Sequence, residues 1–225
     1  MATPRTTSQF RAQPLRLWDP VVRLTHWGIA VAVLVNAVVT EGGSLLHVSL
    51  GWVAMALLLL RLVWGVLGPK EARFSAFPPN PVAALRQLRL LVTGRAGPYP
   101  SHNPSHSPAH NPAGAMMVYA FWITLTAVIV SGLILTGGDT PMQIAADKAA
   151  VASGDWAVLI DQSEAMTTDT DEAAVRHTIE EVHEVAANLL LLLAALHVAG
   201  VFVESRAMRR NLLAPMLLGQ GNRRK

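Results

Sequence analysis

The chain contains 225 residues, of which 52% are hydrophobic and only 15% are charged. Soluble domains usually have about a quarter of charged residues, so this composition argues against a soluble globular enzyme. The chain has no cysteine, which excludes disulfides, cysteine-ligated zinc, iron–sulfur clusters, thiol catalysis and covalent haem attachment. Any bound metal must therefore be held by histidine, methionine or carboxylate.

Four long, largely uncharged apolar stretches follow one another along the chain. Each is close to the roughly 20 residues that cross a bilayer core of about 30 Å. We predict transmembrane helices at about residues 20–40, 44–67, 115–137 and 183–203. The expected fold is all-α, an integral membrane four-helix bundle that forms a single domain over residues 1–225.

Basic residues are distributed unevenly between these spans. Of the 18 lysines and arginines, all except Lys148 and Arg176 lie before or in the first turn of the first span, from the last turns of the second span to the start of the third, or after the fourth. The positive-inside rule then places both termini and the loop at about 68–114 in the cytoplasm. The segment at about 138–182, which holds 10 of the 15 acidic residues, is expected to be an external acidic insert.

Several local signals predict where helices begin and end. Asp19-Pro20 is a typical helix start, because Asp caps free N–H groups and Pro fits the first helical position. Ser44 can cap the second span, and Gly68-Pro69 cannot continue it. The pattern of Pro81–Val92 favours a short basic helix on the inner leaflet, and a helix opening at Thr170 would run directly into the fourth span.

Four of the eight histidines lie in or at the ends of the apolar spans, where an ionisable group is costly and often functional. In the fourth span, His183 and His197 are 14 residues apart, about 21 Å along a helix and within about 40° of one face. His26 lies near the inner start of the first span, and His47 near the outer start of the second. In a four-helix bundle, His26 can meet His197 and His47 can meet His183.

Two histidine pairs at two depths are a ligand set for two b-type haems, which would be non-covalent because the chain lacks cysteine. We therefore predict His26, His47, His183 and His197 as metal ligands and no catalytic residue. Gly51, one turn after His47, would let a flat macrocycle approach the backbone. A single membrane histidine, taken alone, is more often a hydrogen-bonded packing residue.

Arg61 lies 14 residues after His47 in the same span, hence on the same face but at the depth of the inner pair. A buried arginine needs anionic partners, and haem propionates would supply them. Because Arg61 also lies near the helix end, an extended side chain that reaches the headgroups is an equally good interpretation.

The other histidines carry weaker hypotheses. His102, His106 and His110 fall in a proline-rich run that is best interpreted as a solvated loop, although they could bind a metal loosely. His177 is off the face of His183 and is expected on the surface.

The sequence resembles the prokaryotic cytochrome b561 family, in particular its nickel-hydrogenase cytochrome b subunit type. The similarity extends over most of residues 15–218. The matching stretches are Leu17-Trp18-Asp19-Pro20-Val21-Val22-Arg23-Leu24-Thr25-His26-Trp27, Leu46-His47-Val48-Ser49-Leu50-Gly51-Trp52, Leu60-Arg61-Leu62-Val63-Trp64-Gly65-Val66-Leu67-Gly68-Pro69, Ala72-Arg73-Phe74, His102-Asn103-Pro104 or His110-Asn111-Pro112, Val182-His183-Glu184 and Leu196-His197-Val198-Ala199-Gly200. The repeated His-Pro motif and the long acidic insert depart from the family pattern.

This resemblance implies a bacterial inner-membrane protein with two b haems per chain, ligated at His26, His47, His183 and His197. It implies electron transfer in a respiratory chain between a membrane quinone and an external partner, such as a periplasmic c-type cytochrome, a hydrogenase or another oxidoreductase. The chain would thus be an electron-transfer subunit of an oxidoreductase. We also expect contact with membrane lipid and no binding of nucleic acid. A homodimer is possible.

Two alternatives stay open. Some relatives suggest oxidation of superoxide at the external haem with quinone as acceptor, although an acidic external segment would repel that anion. The chain could also be a non-redox membrane anchor or a haem or metal carrier.

Overall fold

The computed structural model describes residues 19–93, 112–154, 170–207 and 213–218, which form helices and short 3-10 turns and contain no strand. Four of the helices are long and apolar enough to cross a membrane, which confirms the predicted all-α fold with four spanning helices. The helices are α1 (Pro20–Val38), α2 (Leu45–Leu67), α3 (Pro81–Val92), α4 (Pro112–Leu135), α5 (Pro141–Ala152), α6 (Thr170–Ala207) and α7 (Leu213–Leu218).

The start of α1 is fixed by the Asp19-Pro20 pair, as predicted. The Asp19 carboxylate accepts hydrogen bonds from the backbone N–H groups of Val21 and Val22, at 2.8 and 3.4 Å. The same oxygen also accepts a bond from the indole Nε1 of Trp64 at 3.0 Å. Asp19 therefore caps one helix and ties its start to the end of α2.

Helices α1 and α2 form an antiparallel hairpin through a short turn. Gly43 has a φ of 70°, a left-handed conformation that glycine adopts without steric cost. Ser44 then caps α2, since its hydroxyl accepts the backbone N–H of His47 at 3.2 Å. The predicted cap is confirmed, and it lies within one turn of a candidate ligand.

At its other end, α2 stops at Gly68, and the chain folds back through two 3-10 turns at Lys70–Ala72 and Phe74–Ala76. The Phe74 ring lies directly on Gly65, where an added Cβ would come within 2.2 Å of a ring atom. The ring also packs edge-on against Trp122 of α4 at 5.1 Å. This elbow covers the end of the bundle.

The short helix α3 has the predicted bounds and packs on the start of α4. Ala84 and Gln87 are buried, and the Gln87 side-chain oxygen accepts the backbone N–H of Ala113 at 3.4 Å. Leu85 and Leu88 are exposed. An exposed apolar face on a basic helix is typical of an interfacial helix.

The four spanning helices are arranged as two pairs, with α1 packed on α2 and α4 packed on α6, and there are fewer close backbone approaches between the pairs. Leu58, Leu125 and Leu190 are buried together at the centre, one each from α2, α4 and α6. In α6, Leu190 lies midway between His183 and His197. An apolar layer therefore separates the two histidine depths.

Helix α6 has 38 residues, which corresponds to a length of about 57 Å and exceeds the thickness of a bilayer core. It begins at Thr170, as predicted, and continues without a break from the polar sequence into the apolar span that starts near residue 183. Helix α4 begins at Pro112, three residues before the predicted start.

The two ends of the bundle differ in charge. The basic end comprises the start of α1, the end of α2, the elbow, α3 and the end of α6; its described basic residues are Arg23, Arg61, Lys70, Arg73, Arg86, Arg89 and Arg206. The acidic end comprises the α1–α2 turn, the end of α4, α5 and the first turns of α6; its described acidic residues include Glu41, Asp139, Asp147, Glu172, Glu180, Glu181 and Glu184.

Candidate functional site

The structure brings His26 and His197 together at the basic end. His26 lies on the second turn of α1, and His197 lies toward the end of α6. Their ring centres are 6.2 Å apart, with an angle of 59° between the ring planes. Both side chains are half-buried. We call these two residues the basic-end pair.

His47 and His183 meet in the same way at the acidic end. His47 lies in the first turn of α2, and His183 lies about one-third of the way along α6. Their ring centres are also 6.2 Å apart, with an interplanar angle of 59°. We call these two residues the acidic-end pair. Repetition of one geometry at two depths argues against chance packing of either pair.

The spacing within each pair suits two imidazoles on opposite sides of one metal ion. A metal–imidazole bond is about 2.0 Å long, and with ring bonds of about 1.33 Å the ring centre lies about 1.1 Å from its nitrogen. Two ligands opposite each other then have ring centres about 6.3 Å apart. The observed 6.2 Å leaves room for a metal between the rings and is too long for direct hydrogen bonding.

Each histidine pair offers a metal ion only two protein ligands. Among the described residues, no group of three or more His, Asp or Glu side chains could hold a metal ion. Structural zinc sites need four protein ligands and catalytic zinc sites three, whereas a haem iron takes four ligands from the macrocycle and needs only two from the protein. The backbones of α1 and α6 approach each other little, although His26 and His197 meet between them.

A hydroxyl group lies within hydrogen-bond distance of Nδ1 in both histidines at the acidic end. The Ser131 hydroxyl lies 2.9 Å from His183 Nδ1 and 2.7 Å from the Ala127 carbonyl. A serine hydroxyl has one hydrogen; when it is donated to the carbonyl, which can only accept, the hydroxyl oxygen accepts the Nδ1–H of His183. Nε2 is then the ring nitrogen with a free lone pair.

His47 has an equivalent arrangement on the other side of the pair. The Thr40 hydroxyl donates to the Asn36 carbonyl at 3.0 Å and lies 3.2 Å from His47 Nδ1. The Asn36 side-chain amide also donates to the His47 carbonyl at 3.1 Å. Both acidic-end histidines are therefore oriented by a hydroxyl group, with Nε2 available as a ligand.

The basic-end pair is surrounded by aromatic rings instead. Trp27 meets His26 edge-on at 5.3 Å, and Phe121 of α4 meets His197 edge-on at 5.7 Å. Within residues 19–93, 112–154, 170–207 and 213–218, no hydrogen bond to the ring nitrogens of His26 or His197 is found. The two pairs thus share a ligand geometry and differ in what holds the rings.

The short helix α7 lies against the start of α1, close to the basic-end pair. Arg23 donates from Nε to the Met216 carbonyl at 3.1 Å, and its Nη2 donates to the Leu217 carbonyl. The indole of Trp27 also donates to Met216 at 3.4 Å. These bonds satisfy carbonyls at the end of a helix and hold α7 one turn from His26.

Small residues lie beside the histidines. An added Cβ at Gly132 would be 3.2 Å from His183 Cε1, so Gly132 makes room for that ring. At Gly51, which the sequence indicated as a cofactor contact, a Cβ would meet nothing within 4 Å among the described residues. Gly51 borders open space one turn from His47, as close approach of a flat cofactor would need.

Arg61 is buried, with 7% of its surface exposed. Its Nη2 donates to the Ala72 carbonyl at 3.3 Å, and the guanidinium lies over the Trp122 ring at 5.3 Å. Within the described part of the chain, Nη1 has no acceptor. The side chain is buried between the elbow and α4, and among the described residues Nη1 is a donor for which an anionic partner would supply the acceptor.

Several functional neighbours were missed in the sequence. Ser131, Thr40, Asn36 and Gly132 all contact the acidic-end pair, but only their polar or small character within apolar spans could have indicated them. His177 is exposed, as expected, and lies 3.7 Å from Glu181. His102, His106 and His110 lie outside the described residues.

Comparison with known proteins gives a family but no individual relative. No curated protein and no solved structure matches the chain significantly. A family model described as prokaryotic cytochrome b561 matches residues 17–219, which include both histidine pairs and all four spanning helices. Because this match covers nearly the whole chain, the protein belongs to the prokaryotic cytochrome b561 family, whose members are membrane proteins that bind haem b and transfer electrons.

Proposed function

We propose that this protein is a di-haem cytochrome that moves electrons across the membrane between a quinone pool and an external redox protein. The observation that carries the proposal is the repeated 6.2 Å spacing of two histidine pairs at opposite ends of one bundle. His183 and His197 are 14 positions apart in α6, or about 21 Å along the helix. Two cofactors at these depths would divide the membrane crossing into short steps.

In this proposal His26 and His197 hold one haem, and His47 and His183 hold the other. A haem with two axial histidines supplies a one-electron couple and no open position for oxygen. The protein would contribute ligand orientation: a hydrogen on Nδ1 that is accepted by Ser131 or Thr40 leaves Nε2 of each acidic-end histidine free to bind the iron. At the basic end, Trp27 and Phe121 limit the space in which the rings can turn.

The apolar layer between the pairs supports transfer of electrons without protons. Leu58, Leu125 and Leu190 offer no hydrogen-bonding group for a proton relay at mid-depth.

Arg61 is proposed as the anchor of the haem at the basic end. A buried guanidinium with one free donor is stabilised by an anionic acceptor, and a propionate has the right charge and geometry for a bidentate contact. The Ala72 carbonyl and the Trp122 ring hold the guanidinium in place on its other sides.

The charge distribution supports an inner-membrane orientation with the basic end in the cytoplasm. The acidic end would then face the periplasm, where α5 and the first turns of α6 extend beyond the apolar spans. A c-type cytochrome, a hydrogenase or another oxidoreductase would meet this surface, and the quinone would enter from the lipid.

The test is a pyridine haemochrome assay with protein quantification on the detergent-purified chain, followed by reduction with a short-chain quinol. We expect about two b haems per chain, both reduced by the quinol and reoxidised by an external one-electron acceptor. The His177→Ala variant, which changes an exposed histidine, is the matched control and should behave like the wild type. Haem content near zero would overturn the proposal and favour the alternative that the chain is a non-redox membrane anchor. Two haems that no quinol reduces would overturn the part of the proposal in which quinone is the electron-transfer partner.

A further inference from the structure

The hydroxyl groups beside the acidic-end pair do more than fill space. Ser131 is buried, with 4% of its surface exposed, and its hydroxyl lies between the Ala127 carbonyl of its own helix and His183 of α6. Thr40 follows the end of α1 and bridges the Asn36 carbonyl and His47 of α2. Each hydroxyl thus connects a ligand histidine to the backbone of a different helix.

The direction of these bonds decides their chemical effect. In the tautomer with a hydrogen on Nδ1, each hydroxyl donates to a backbone carbonyl and its oxygen accepts the Nδ1–H of the histidine. An acceptor at Nδ1 draws the ring proton away and increases the electron density at Nε2. A histidine ligand held in this way is a stronger donor, and it favours the ferric over the ferrous state of a bound iron.

We propose that Ser131 and Thr40 are positioning residues that lower the midpoint potential of the acidic-end haem through His183 and His47. The inference rests on the proposed function, since it requires that the acidic-end pair ligates a haem. The basic-end pair serves as an internal reference, because the described residues give its ring nitrogens no equivalent acceptor.

The test is a spectroelectrochemical titration of the full-length, haem-loaded protein in detergent. Thr40→Val keeps the shape of the side chain and removes the hydroxyl, whereas Thr40→Ser keeps the hydroxyl and removes the methyl group. Ser131→Ala removes the other hydroxyl. The haem that disappears from the spectrum of His47→Ala identifies the acidic-end signal.

Thr136→Ala is the matched control. Thr136 lies just after α4 and its hydroxyl bonds back to the Gly132 and Leu133 carbonyls, without a contact to either histidine pair. This variant therefore shows the effect of losing only a hydrogen bond from a side-chain hydroxyl to a carbonyl of the preceding helical turn.

We expect Ser131→Ala and Thr40→Val each to raise the midpoint potential of the acidic-end haem and to leave the other haem unchanged. A tenfold loss of ferric preference corresponds to about 59 mV for one electron. Thr40→Ser and Thr136→Ala should titrate like the wild type. Loss of the acidic-end haem alone in Thr40→Val, with both haems kept in Thr40→Ser, would also support the role of the hydroxyl.

Two results would overturn the inference while leaving the proposed function intact. One is a protein with two haems whose potentials are the same in Ser131→Ala, Thr40→Val and the wild type. The other is an equal shift of both haems, which would indicate a general change in the bundle. If Ser131→Ala fails to fold, the Thr40→Val and Thr40→Ser pair decides alone. A wild-type chain without haem would refute the proposed function itself.

Discussion

The acidic-end and basic-end pairs have the same ring separation and interplanar angle, yet their surroundings have little in common. At the acidic end, hydroxyl groups orient both histidines. At the basic end, aromatic rings flank the pair, and a buried arginine with a free donor lies at the same end of the bundle. The comparison shows that the ring geometry is the same at both ends of the bundle, whereas the neighbouring residues distinguish the two pairs.

The largest expected effect comes from removing one ligand at each end. We predict that His26→Ala loses the basic-end haem and His47→Ala loses the acidic-end haem, since one imidazole cannot replace two axial ligands. Haem content should fall from about two per chain to about one in each variant, with different spectra for the haem that is kept. Loss of both haems in each variant, or of neither, would contradict the assignment of separate pairs.

A smaller effect is expected from filling the space beside the acidic-end pair. Gly132→Val would push against His183, because even a Cβ at this position lies 3.2 Å from the ring. Gly51→Leu would occupy the open space one turn from His47. Both variants should lower the affinity for the acidic-end haem by roughly tenfold or more, as does the loss of groups that support a metal ligand. The measurement is the amount of this haem that stays bound to the protein during gel filtration.

Gly42→Ala is the control for these two variants, because a Cβ there also meets nothing within 4 Å among the described residues and Gly42 lies in the turn outside the bundle. Unchanged haem retention in Gly51→Leu would show that the open space at Gly51 faces lipid and not the cofactor. Selective loss of the basic-end haem would contradict the assigned neighbours.

The smallest effect, on potential and not on occupancy, is expected at Arg61. Arg61→Met keeps the length of the side chain and removes its charge. A positive charge near a haem favours the reduced state, so its removal should lower the basic-end midpoint potential and leave the acidic-end haem unchanged. Arg206→Met, which changes an exposed arginine at the same end, should have no effect in the same redox titration.

An equal response of both haems to Arg61→Met would place Arg61 outside the basic-end site. An unchanged basic-end potential would indicate that the free Nη1 donor has no role in holding the cofactor.

Much of the fold could be predicted from local sequence. The caps at Asp19 and Ser44 depend on residues within one turn, and the apolar spans depend on composition over about 20 residues. The depth of each histidine follows from helix rise alone. The start of α6 at Thr170, ahead of its apolar span, could also be predicted, because the polar residues there favour a helix start.

The neighbours of the histidines could not be predicted in the same way. Ser131 and His183 are 52 residues apart, and their contact depends on the rotation of α4 and α6 about their axes. Gly132 shares this dependence. The environment of Arg61 depends on the elbow, which folds back to bring the Ala72 carbonyl to the guanidinium.

The sequence by itself determined four spanning helices, their caps and two depths of histidine, because helix periodicity and the length of an apolar span are local properties. Only the tertiary structure decided which hydroxyls, aromatic rings and glycines surround each pair. Contacts such as those of Ser131 and Gly132 with His183 and of Phe121 with His197 join different helices, and a rotation of one helix by a single residue, about 100°, would replace them.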